Sequence, residues 1–545
     1  MSRGSYPLIL LLVLSFILRL LIGSVIELGN DEVYYITYAL YPDLSHFDHP
    51  PMVGWFIQLF TLNLYFDSEG WIRLAAMVSG TFSTIIIYQI GVKLGDRLTG
   101  WYAAVLYNIS VYGFVITGIF IMPDSPQMMF WLLSMLFLVI AIEHEENMTK
   151  AEIHRPELNY DNETEKRKSW LYPQNVTANS FMLAGLAVGL ALLSKYTSVF
   201  ILLGTLFYFL KYRSWFKKWY VYVSLLIAVL CFVPVMLWNV RNDFISFMFH
   251  GDRVEVNESF LRLDSFGTEL VGQILYNNPI VFALVALSLI TLIRRKLVLK
   301  NQSAWLFVLI ALPFILLFLT ISLFRSTLPH WTGPAYVSLI PIAALWLRQR
   351  TEGGRKSEWF PGLIKVGAVF ITIVILAALL QVFYGVFLNK GIDPTTGKRL
   401  GIKDITLDMY GWEHLGTEFE RLHSNNLKKG SIDSNAVIVS HRWFPAANID
   451  YYVARPLGIK VLTLAPLERT HKYAWITNER GGFKVGMDAY FISSSYDFDD
   501  PHWHFADYFN ISKPDTIPVY RQNLLVKYYY IWKMNDLKKL PPDQL

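Results

Sequence analysis

Long apolar runs recur along the first 386 residues of this chain, and polar links separate them. A helix needs about 20 consecutive apolar residues to cross the hydrocarbon core of a bilayer. Runs that approach or reach this length lie at 7–26, 72–92, 101–121, 125–142, 179–194, 197–211, 219–238, 271–293, 304–323, 332–347 and 363–386. The pattern predicts a polytopic α-helical membrane protein with about 11 transmembrane helices.

The pattern changes after residue 386, where no further run is long enough to span a membrane. Short strand-like runs there alternate with helix-like segments, and an alternation of this kind is typical of an α/β domain. The strand-like runs are Ala436–Ser440, Lys460–Leu464 and Ala489–Ser493, and the helix-like segments are Trp412–His423 and Ala446–Ala454. We therefore expect a transmembrane domain over 1–386 and a separate soluble α/β domain over 387–545.

The placement of basic residues predicts the orientation of the helices. Only 17% of the residues are charged, against about 25% in soluble domains. Lysine and arginine gather in every second link: Lys93 and Arg97; Lys150, Arg155, Lys166, Arg167 and Lys168; Lys211, Arg213, Lys217 and Lys218; Arg294, Arg295, Lys296 and Lys300; Arg348, Arg350, Arg355 and Lys356. Because cytoplasmic loops carry this excess, the N-terminus is predicted to be cytoplasmic and the α/β domain to lie outside.

Composition excludes several other classes of protein. Cys231 is the single cysteine, so the chain has no disulfide framework. The apolar N-terminal stretch has no small-residue cleavage site, which indicates a retained first span. The sequence contains no glycine-rich phosphate loop and no nucleic-acid-binding module. The link around 143–178 has mixed charge and predicts a solvated, mobile cytoplasmic loop, and the long outer link 239–270 is typical of a lid.

The stretch NDEVYYITYALYPDLSHFDHPPMVGW, residues 30–55, concentrates candidate chemistry. It belongs to the first outer loop, 27–70, and carries the acidic pair Asp31 and Glu32, the tyrosines Tyr34 and Tyr35, and His49 before two prolines. Ionisable groups beside a membrane are costly to desolvate, which favours a functional site, with a carboxylate as general base. The alternatives are a charged helix start, a capping histidine and an aromatic belt at the headgroups.

Other candidates lie at the outer ends of distant spans. Asp124, in MPDSP, is either a second site carboxylate or a helix cap. Lys195 and Arg253 are cations on the side where positive charge is scarce, which favours an anionic partner such as a lipid phosphate over snorkelling. The further cavity candidates are Tyr196, His330 and Trp331. The pair His502 and His504 lies among aspartates, but a solvated loop is the prediction there, and we predict no metal site.

Six motifs occur in an order that resembles a known family: DEVYYITYAL, FDHPPMVGW, MPDSPQMMFW, GLALLSKYTSVF, VPVMLWN followed by FISFMFHGDR, and PHWTGPAYVSL. The family is the bacterial dolichyl-phosphate-mannose-protein-mannosyltransferase-like glycosyltransferases, GT-C enzymes related to the aminoarabinose transferase of lipid A. The resemblance covers residues 7–350, with weaker similarity at Asp408–Trp412 and beyond.

The resemblance implies a polyprenyl-phosphate sugar donor used from the outer leaflet, an extracytoplasmic acceptor and the bacterial inner membrane. It implies Asp31 as the base that deprotonates the acceptor hydroxyl, Glu32 as a residue that shapes the site, and Lys195 and Arg253 as phosphate-binding residues. His49 is predicted to assist them. Direct displacement would invert the anomeric centre. No cofactor is required, and a divalent metal ion stays open.

The chain departs from the aminoarabinose transferases at two motifs. It has His49-Pro50 where they have lysine-proline, and Lys195-Tyr196-Thr197 where they have lysine-glycine-proline. The acceptor therefore stays open among a lipid-linked glycan, lipid A, a polysaccharide and a protein. The alternative class is a membrane transporter or lipid flippase, which predicts ionisable residues near mid-span and internal repeats. Here the charges gather at one side and no repeat is visible.

Overall fold

The computed structural model describes residues 6–153, 173–255, 260–352, 361–387, 391–392, 399–400 and 404–542. The chain forms two compact units. The helical unit comprises Met1–Gly23, His49–Phe66 and Gly70–Thr372, and the sheet unit comprises Ser24–Asp48, Asp67–Glu69 and Ile373–Leu545. This division differs from the expected boundary at residue 386, because Ser24–Asp48 of the first outer loop folds with the C-terminal residues.

Helices dominate the chain up to residue 384. They are α1 (Tyr6–Val25), α2 (Asn30–Leu40), α3 (Met52–Phe60), α4 (Glu69–Leu94), α5 (Arg97–Ile109), α6 (Asp124–Ile153), α7 (Pro173–Leu192), α8 (Val199–Lys211), α9 (Trp219–Arg241), α10 (Ile245–Val254), α11 (Leu263–Tyr276), α12 (Pro279–Ile293), α13 (Ser303–Ser322), α14 (Gly333–Glu352) and α15 (Gly362–Tyr384). Shorter 3₁₀ or π turns lie at Tyr112–Ile116, Tyr196–Ser198, Arg213–Lys217 and Pro329–Thr332.

Every predicted span contains a helix, but not every helix has the length and composition of a span. Within the described residues, six helices do: α1, α4, α6, α9, α13 and α15. The pair α11 and α12 would make a seventh, although it is bent by 98°. Two residues account for the break between α11 and α12. Asn278 has φ of 64°, and Pro279, which has no backbone N–H, starts the next helix. The prediction of about 11 spans therefore stays a prediction.

The outer link 239–270, whose length is typical of a lid, contains helices. Helix α10 and the start of α11 occupy much of it, and 256–259 lie outside the described residues. Most of the predicted cytoplasmic loop, 154–172, also lies outside the described residues.

Arg19, in the middle of α1, shows how the helical unit accommodates a buried charge. Its Nη2 donates to Oδ1 of Asn108 at 3.0 Å and to the carbonyl of Gly113 at 3.3 Å, and its guanidinium lies 4.9 Å from the ring centre of Phe114. Gly118 permits this approach, since a Cβ there would lie 2.5 Å from Nε of Arg19. These contacts within the helical unit indicate a structural role for Arg19.

A mixed sheet organises the sheet unit. Its strands are β3 (Val437–Ser440), β4 (Val461–Thr463), β5 (Ala489–Ser494), β6 (Asn510–Ile511), β7 (Asp515–Arg521) and β8 (Leu524–Asn535), after a short pair β1 (Gly391–Ile392) and β2 (Arg399–Leu400). The order is β4-β3-β5-β8-β6, and β7 also pairs with β8. Strand β3 runs parallel to β4 and β5, whereas β8 is antiparallel to β5. The three predicted strands are confirmed.

Helices cover this sheet, and its core is apolar. They are α16 (Trp412–Lys428), α17 (Trp443–Ile449), α18 (Leu467–Thr470), α19 (Tyr473–Glu479) and α20 (His502–Phe505), with short turns at Ile405–Met409, Asp450–Ala454 and Arg455–Leu457. Val439, Leu462, Phe491 and Trp532 are buried on the sheet. The sequence analysis did not predict the hairpin of β7 and β8, although its two-residue turn, Gln522-Asn523, has positive φ at both positions.

Candidate active site

The helical unit contains a buried ion pair at the ends of two helices. Asp124 begins α6, and Lys195 follows the end of α7. Nζ of Lys195 lies 2.7 Å from Oδ2 of Asp124, and the hydroxyl of Tyr112 donates to Oδ1 at 2.9 Å. Lys195 is 7% exposed and Asp124 is 1% exposed. Because burying two charges costs more than their attraction returns unless both are well bonded, this arrangement is unusual for a purely structural feature.

The turn that carries Lys195 is held to α6 by a second set of contacts. Nε2 of Gln127 donates to Oγ1 of Thr197 at 2.8 Å and to Oγ of Ser198 at 3.0 Å. The hydroxyl of Ser198 in turn donates to the carbonyl of Ala191 at 2.8 Å. These bonds connect the first turn of α6 to the Tyr196–Ser198 turn, so they fix the position from which Lys195 reaches Asp124.

His330 lies near this pair, in the turn Pro329–Thr332 before α14. Burial lowers the pKa of His330 to about 4, and the nearby charges of Asp124 and Lys195 act on it in opposite directions. The imidazole is therefore neutral at neutral pH. The next residue, Trp331, packs its ring 5.6 Å from the ring of Phe318.

Aromatic rings surround the first residue of the HPP segment. The ring of His49 lies 5.8 Å from that of His250, which lies 5.2 Å from the ring of Tyr196. The backbone N–H of Met52 donates to the carbonyl of Leu193 at 3.1 Å, so the segment is attached to the end of α7. Arg253 is on α10, one turn beyond His250, and it is exposed with its guanidinium 4.6 Å above the ring of Phe249.

An apolar cavity of about 370 Å³ lies among α6, α7, α8 and α9. Its lining includes Leu138, Phe181, Val188, Val199 and Leu206. Val199 follows Lys195 by one helical turn in the sequence. A cavity with this lining fits a hydrocarbon chain and does not fit a polar group.

The acidic pair of the first outer loop lies in the sheet unit. Asp31 and Glu32 are in the first turn of α2, where the helix dipole favours negative charge. Oε2 of Glu32 accepts the backbone N–H of Gly29 at 2.9 Å and so caps the helix, and the side chain is buried. Asp31 is exposed. The two adjacent carboxylates therefore have different environments.

Tyr34 and Tyr35, predicted as cavity residues, are buried in the sheet unit. The hydroxyl of Tyr34 donates to Oδ1 of Asp48 at 2.9 Å, and the hydroxyl of Tyr38 donates to the same oxygen. The ring of Tyr34 packs 4.9 Å from that of Trp443, which comes from the C-terminal part of the chain. The tyrosines thus attach α2 to α17.

Lys472 is a residue that the sequence analysis missed. Its Nζ donates to the carbonyl of Tyr41 and to Nδ1 of His46, each at 2.6 Å. Burial lowers the pKa of Lys472 to about 7, and burial also lowers the pKa of His46, so the imidazole is neutral and accepts. The only signal of a buried lysine in the sequence was its position next to the apolar residues of THKYAWI. The partners of Lys472 lie more than 420 residues away, so the local sequence could not identify them.

The weak motif at Asp408–Trp412 also carries a perturbed carboxyl group. Burial raises the pKa of Asp408 to about 6, while Lys527 opposes that shift. Burial lowers the pKa of Lys527 to about 7. Its Nζ donates to the carbonyl of Leu407 at 3.0 Å. The sequence analysis assigned no role to either residue.

The site residues predicted from the sequence thus lie in two different units. In the helical unit, Asp124, Lys195 and His330 come together. The ring of His250 neighbours the rings of both His49 and Tyr196. Arg253 shares a helix with His250, and Trp331 adjoins His330. Asp31, Glu32, Tyr34 and Tyr35 lie in the sheet unit.

Sequence comparisons find relatives of one kind. The model of the family described as dolichyl-phosphate-mannose-protein mannosyltransferase matches residues 48–150 and 170–238. These segments include His49, Asp124 and Lys195. The lipid A galacturonosyltransferase RgtD of Rhizobium johnstonii is 22% identical over 319 residues. That match covers 58% of this chain and 60% of the relative, so the chain spans less than two thirds of the relative's length.

Comparison with solved structures finds a similar fold over nearly the whole chain. ArnT from Cupriavidus metallidurans in the apo state aligns with a TM-score of 0.57 and 13% identity, covering 97% of this chain and 98% of that one. The same protein bound to undecaprenyl phosphate aligns with a TM-score of 0.58, 13% identity and the same coverage. At this identity the likeness shows the fold, which is the GT-C membrane fold. The two sequence matches agree with it, so the chain is similar in sequence and in fold to the GT-C-type, ArnT-like glycosyltransferases that the motifs predicted.

Proposed function

We propose that this chain is an integral enzyme of the bacterial inner membrane that transfers a sugar from a polyprenyl phosphate to an extracytoplasmic acceptor. The observation that supports this most directly is the buried pair of Lys195 and Asp124, which lies inside the family match. A relative acts on lipid A and a structural neighbour binds undecaprenyl phosphate, by their names. The proposal keeps the N-terminus cytoplasmic and the sheet unit outside, as the basic links predict.

Lys195 would stabilise the departing phosphate. An ammonium group has three N–H donors, and the contact with Asp124 uses one of them, so two can meet phosphate oxygens. A fixed positive charge in a site that excludes water stabilises developing negative charge far better than one in solvent. We assign Asp124 the role of positioning Lys195, because both carboxylate oxygens already accept hydrogen bonds.

Further donors surround this centre in the proposal. His49 and Arg253 supply additional contacts to the phosphate, and Tyr196, His330 and Trp331 line the cavity. The neutral imidazole of His330 can both donate and accept one hydrogen bond. The apolar cavity beside α7 and α8 takes part of the polyprenyl chain, since its lining is almost wholly hydrocarbon.

The reaction is a single displacement with inversion. The acceptor hydroxyl oxygen attacks the anomeric carbon as its proton passes to Asp31. The bond from that carbon to the phosphate oxygen breaks, and its electron pair leaves on the phosphate. Asp31 is exposed and so accessible to an acceptor, whereas Glu32 caps α2 and holds the helix start in which Asp31 lies. Tyr34 and Tyr35 are assigned a packing role.

The test is release of polyprenyl phosphate by the purified full chain from short-chain polyprenyl-phosphate sugars, with lipid A or a lipid-linked glycan as acceptor. We expect Asp31→Asn to reduce release by at least about 100-fold, as removal of a general base does. The control is Glu420→Gln, an exposed carboxylate elsewhere in the sheet unit, which should act like wild type.

The outcomes separate the parts of the proposal. Equal release by wild type and Asp31→Asn would keep the enzyme and reject Asp31 as its base. A wild-type protein that releases nothing with any donor and acceptor, yet moves labelled lipid across a bilayer, would replace the proposal with the transporter or flippase alternative.

A further inference from the structure

Three side chains converge in the sheet unit, and none of them is among the residues assigned above. His441 directly follows β3, Asp499 lies in the segment after β5, and His504 is in α20. Nδ1 of His441 is 2.6 Å from Oδ2 of Asp499, and Nε2 of His504 is 3.1 Å from Oδ1. One ligand atom from each residue lies within 4.8 Å of the other two. His441 and Asp499 are 5% and 6% exposed.

Hydrogen bonding alone does not account for this geometry. Oδ2 of Asp499 is buried and lies 2.6 Å from Nδ1 of His441, but the ring nitrogen is poorly aligned with it for a hydrogen bond. The two imidazole rings stack with centroids 4.1 Å apart and planes inclined by 14°, so both rings lie beside the same carboxylate. A buried carboxylate oxygen whose nearest donor is poorly aligned carries a free-energy cost. A cation held by all three groups would remove that cost.

We propose that His441, Asp499 and His504 bind a zinc ion. Two imidazole nitrogens and one carboxylate oxygen are a donor set that zinc takes, whereas calcium and magnesium prefer oxygen ligands alone. Tetrahedral ligands at about 2.0–2.1 Å from zinc lie about 3.3 Å apart. The two imidazole nitrogens approach different oxygens of Asp499, at 2.6 and 3.1 Å, so binding would require the side chains to move apart around the ion. Three protein ligands leave one coordination position for water.

The surroundings hold the three ligands in place. The backbone N–H of Asp499 donates to Oγ of Ser493 at 2.8 Å. Beside the cluster, Arg442 binds Asp497 through both terminal nitrogens, at 2.7 and 3.3 Å. The ion would therefore join the end of β3, the segment after β5 and α20. Because the ligands come from three separate segments, binding of zinc should stabilise the folded sheet unit.

His502 provides a matched control within the same helix. It is exposed, and its Nδ1 contacts Oδ1 of Asp500 at 2.7 Å rather than the cluster. The sequence pair His502 and His504 therefore does not act together in the proposed site. His441, about 60 residues earlier in the chain, takes the second histidine position.

The experiment measures bound metal in the full chain, purified in detergent, stripped with a chelator and dialysed against zinc. We expect about one equivalent in wild type and in His502→Ala, and less than about 0.1 equivalent in His441→Ala and Asp499→Asn. Zinc should also raise the Tm of wild type and His502→Ala by at least about 3 °C, with no rise in the two ligand variants. Neither measurement depends on transferase activity.

Two results would overturn the proposal. The first is a wild-type chain that binds no zinc, which would make the cluster a hydrogen-bonded set of neutral and charged side chains. The second is zinc bound equally by wild type and His441→Ala, which would place the metal elsewhere. If Asp499→Asn does not fold, His504→Gln serves instead, because His504 is partly exposed and its replacement is milder.

Discussion

The two units bury charge in different ways. In the helical unit, Lys195 and Asp124 form a direct ion pair, and each neutralises the other. In the sheet unit, two tyrosine hydroxyls satisfy the carboxylate of Asp48, while a carbonyl and a neutral imidazole satisfy Lys472. An ammonium group without a partner charge in direct contact is easier to deprotonate, which agrees with a pKa of about 7 for Lys472.

This difference indicates separate purposes for the two clusters. A direct ion pair holds its ammonium group in a fixed position, which suits a residue that must meet an anionic leaving group. A lysine that donates to neutral groups instead holds segments together, here the first outer loop and the C-terminal part of the chain. The contrast makes four predictions, in order of decreasing effect.

The largest effect is expected for Lys195→Met. The substitution leaves Asp124 buried without its cation, which typically costs about 3–5 kcal/mol, and it should reduce transfer by at least about 100-fold. Thermal unfolding and polyprenyl phosphate release measure the two effects. The double variant Lys195→Met with Asp124→Leu should recover much of the stability but no activity. Recovery of activity would reject a role of Lys195 in binding phosphate. Lys217→Met, on a predicted cytoplasmic link, is the control.

The next effect is expected for Asp48→Ala in the sheet unit. Loss of the carboxylate leaves the hydroxyls of Tyr34 and Tyr38 without their common acceptor, so we expect the free energy of unfolding to fall by about 3 kcal/mol. Asp48→Asn retains an acceptor oxygen and should lose less. Denaturant unfolding followed by tryptophan fluorescence measures both. If the two variants were equally stable, these hydrogen bonds would contribute little.

A pH effect follows from Lys472. Its pKa is about 7 in the folded chain, below the unfolded value, so the unfolded chain binds more protons above pH 7. The free energy of unfolding therefore rises with pH from about 7, at up to about 1.4 kcal/mol per pH unit. Lys527 acts in the same direction. Lys472→Met should reduce the rise between pH 7.5 and 9 by at most about 2 kcal/mol. An unchanged slope would mean that Lys472 stays charged in the folded chain.

The smallest effect is expected for Glu32. Glu32→Ala removes the cap of α2 and should cost about 1 kcal/mol, whereas Glu32→Gln can still accept the N–H of Gly29. Thermal unfolding distinguishes the two variants. In both variants, we expect the transfer activity to fall only as far as the stability of the protein falls. A Glu32→Gln variant that is stable but inactive would instead give Glu32 a direct part in the reaction.

Local pattern was enough to predict much of this protein. Hydrophobic periodicity is a property of neighbouring residues, so helices occur at all predicted apolar runs, and β3, β4 and β5 lie where their short apolar runs predicted them. Six ordered motifs also predicted the similarity to glycosyltransferases that the sequence and structure comparisons find. The candidate residues Asp124 and Lys195 were also visible, because each interrupts an apolar pattern at a helix end.

Tertiary structure decided which of these residues meet. The partners of Lys195, Lys472 and His441 lie between 58 and more than 420 residues away in the chain, and nothing in the local sequence specifies such distances. The first outer loop looked like part of the membrane domain, but its tyrosines pack against α17. The apolar run at 271–293 looked continuous, but Asn278 and Pro279 divide it. Long-range packing decides which residues meet, because the free energy gained by burying side chains depends on which distant surfaces come together.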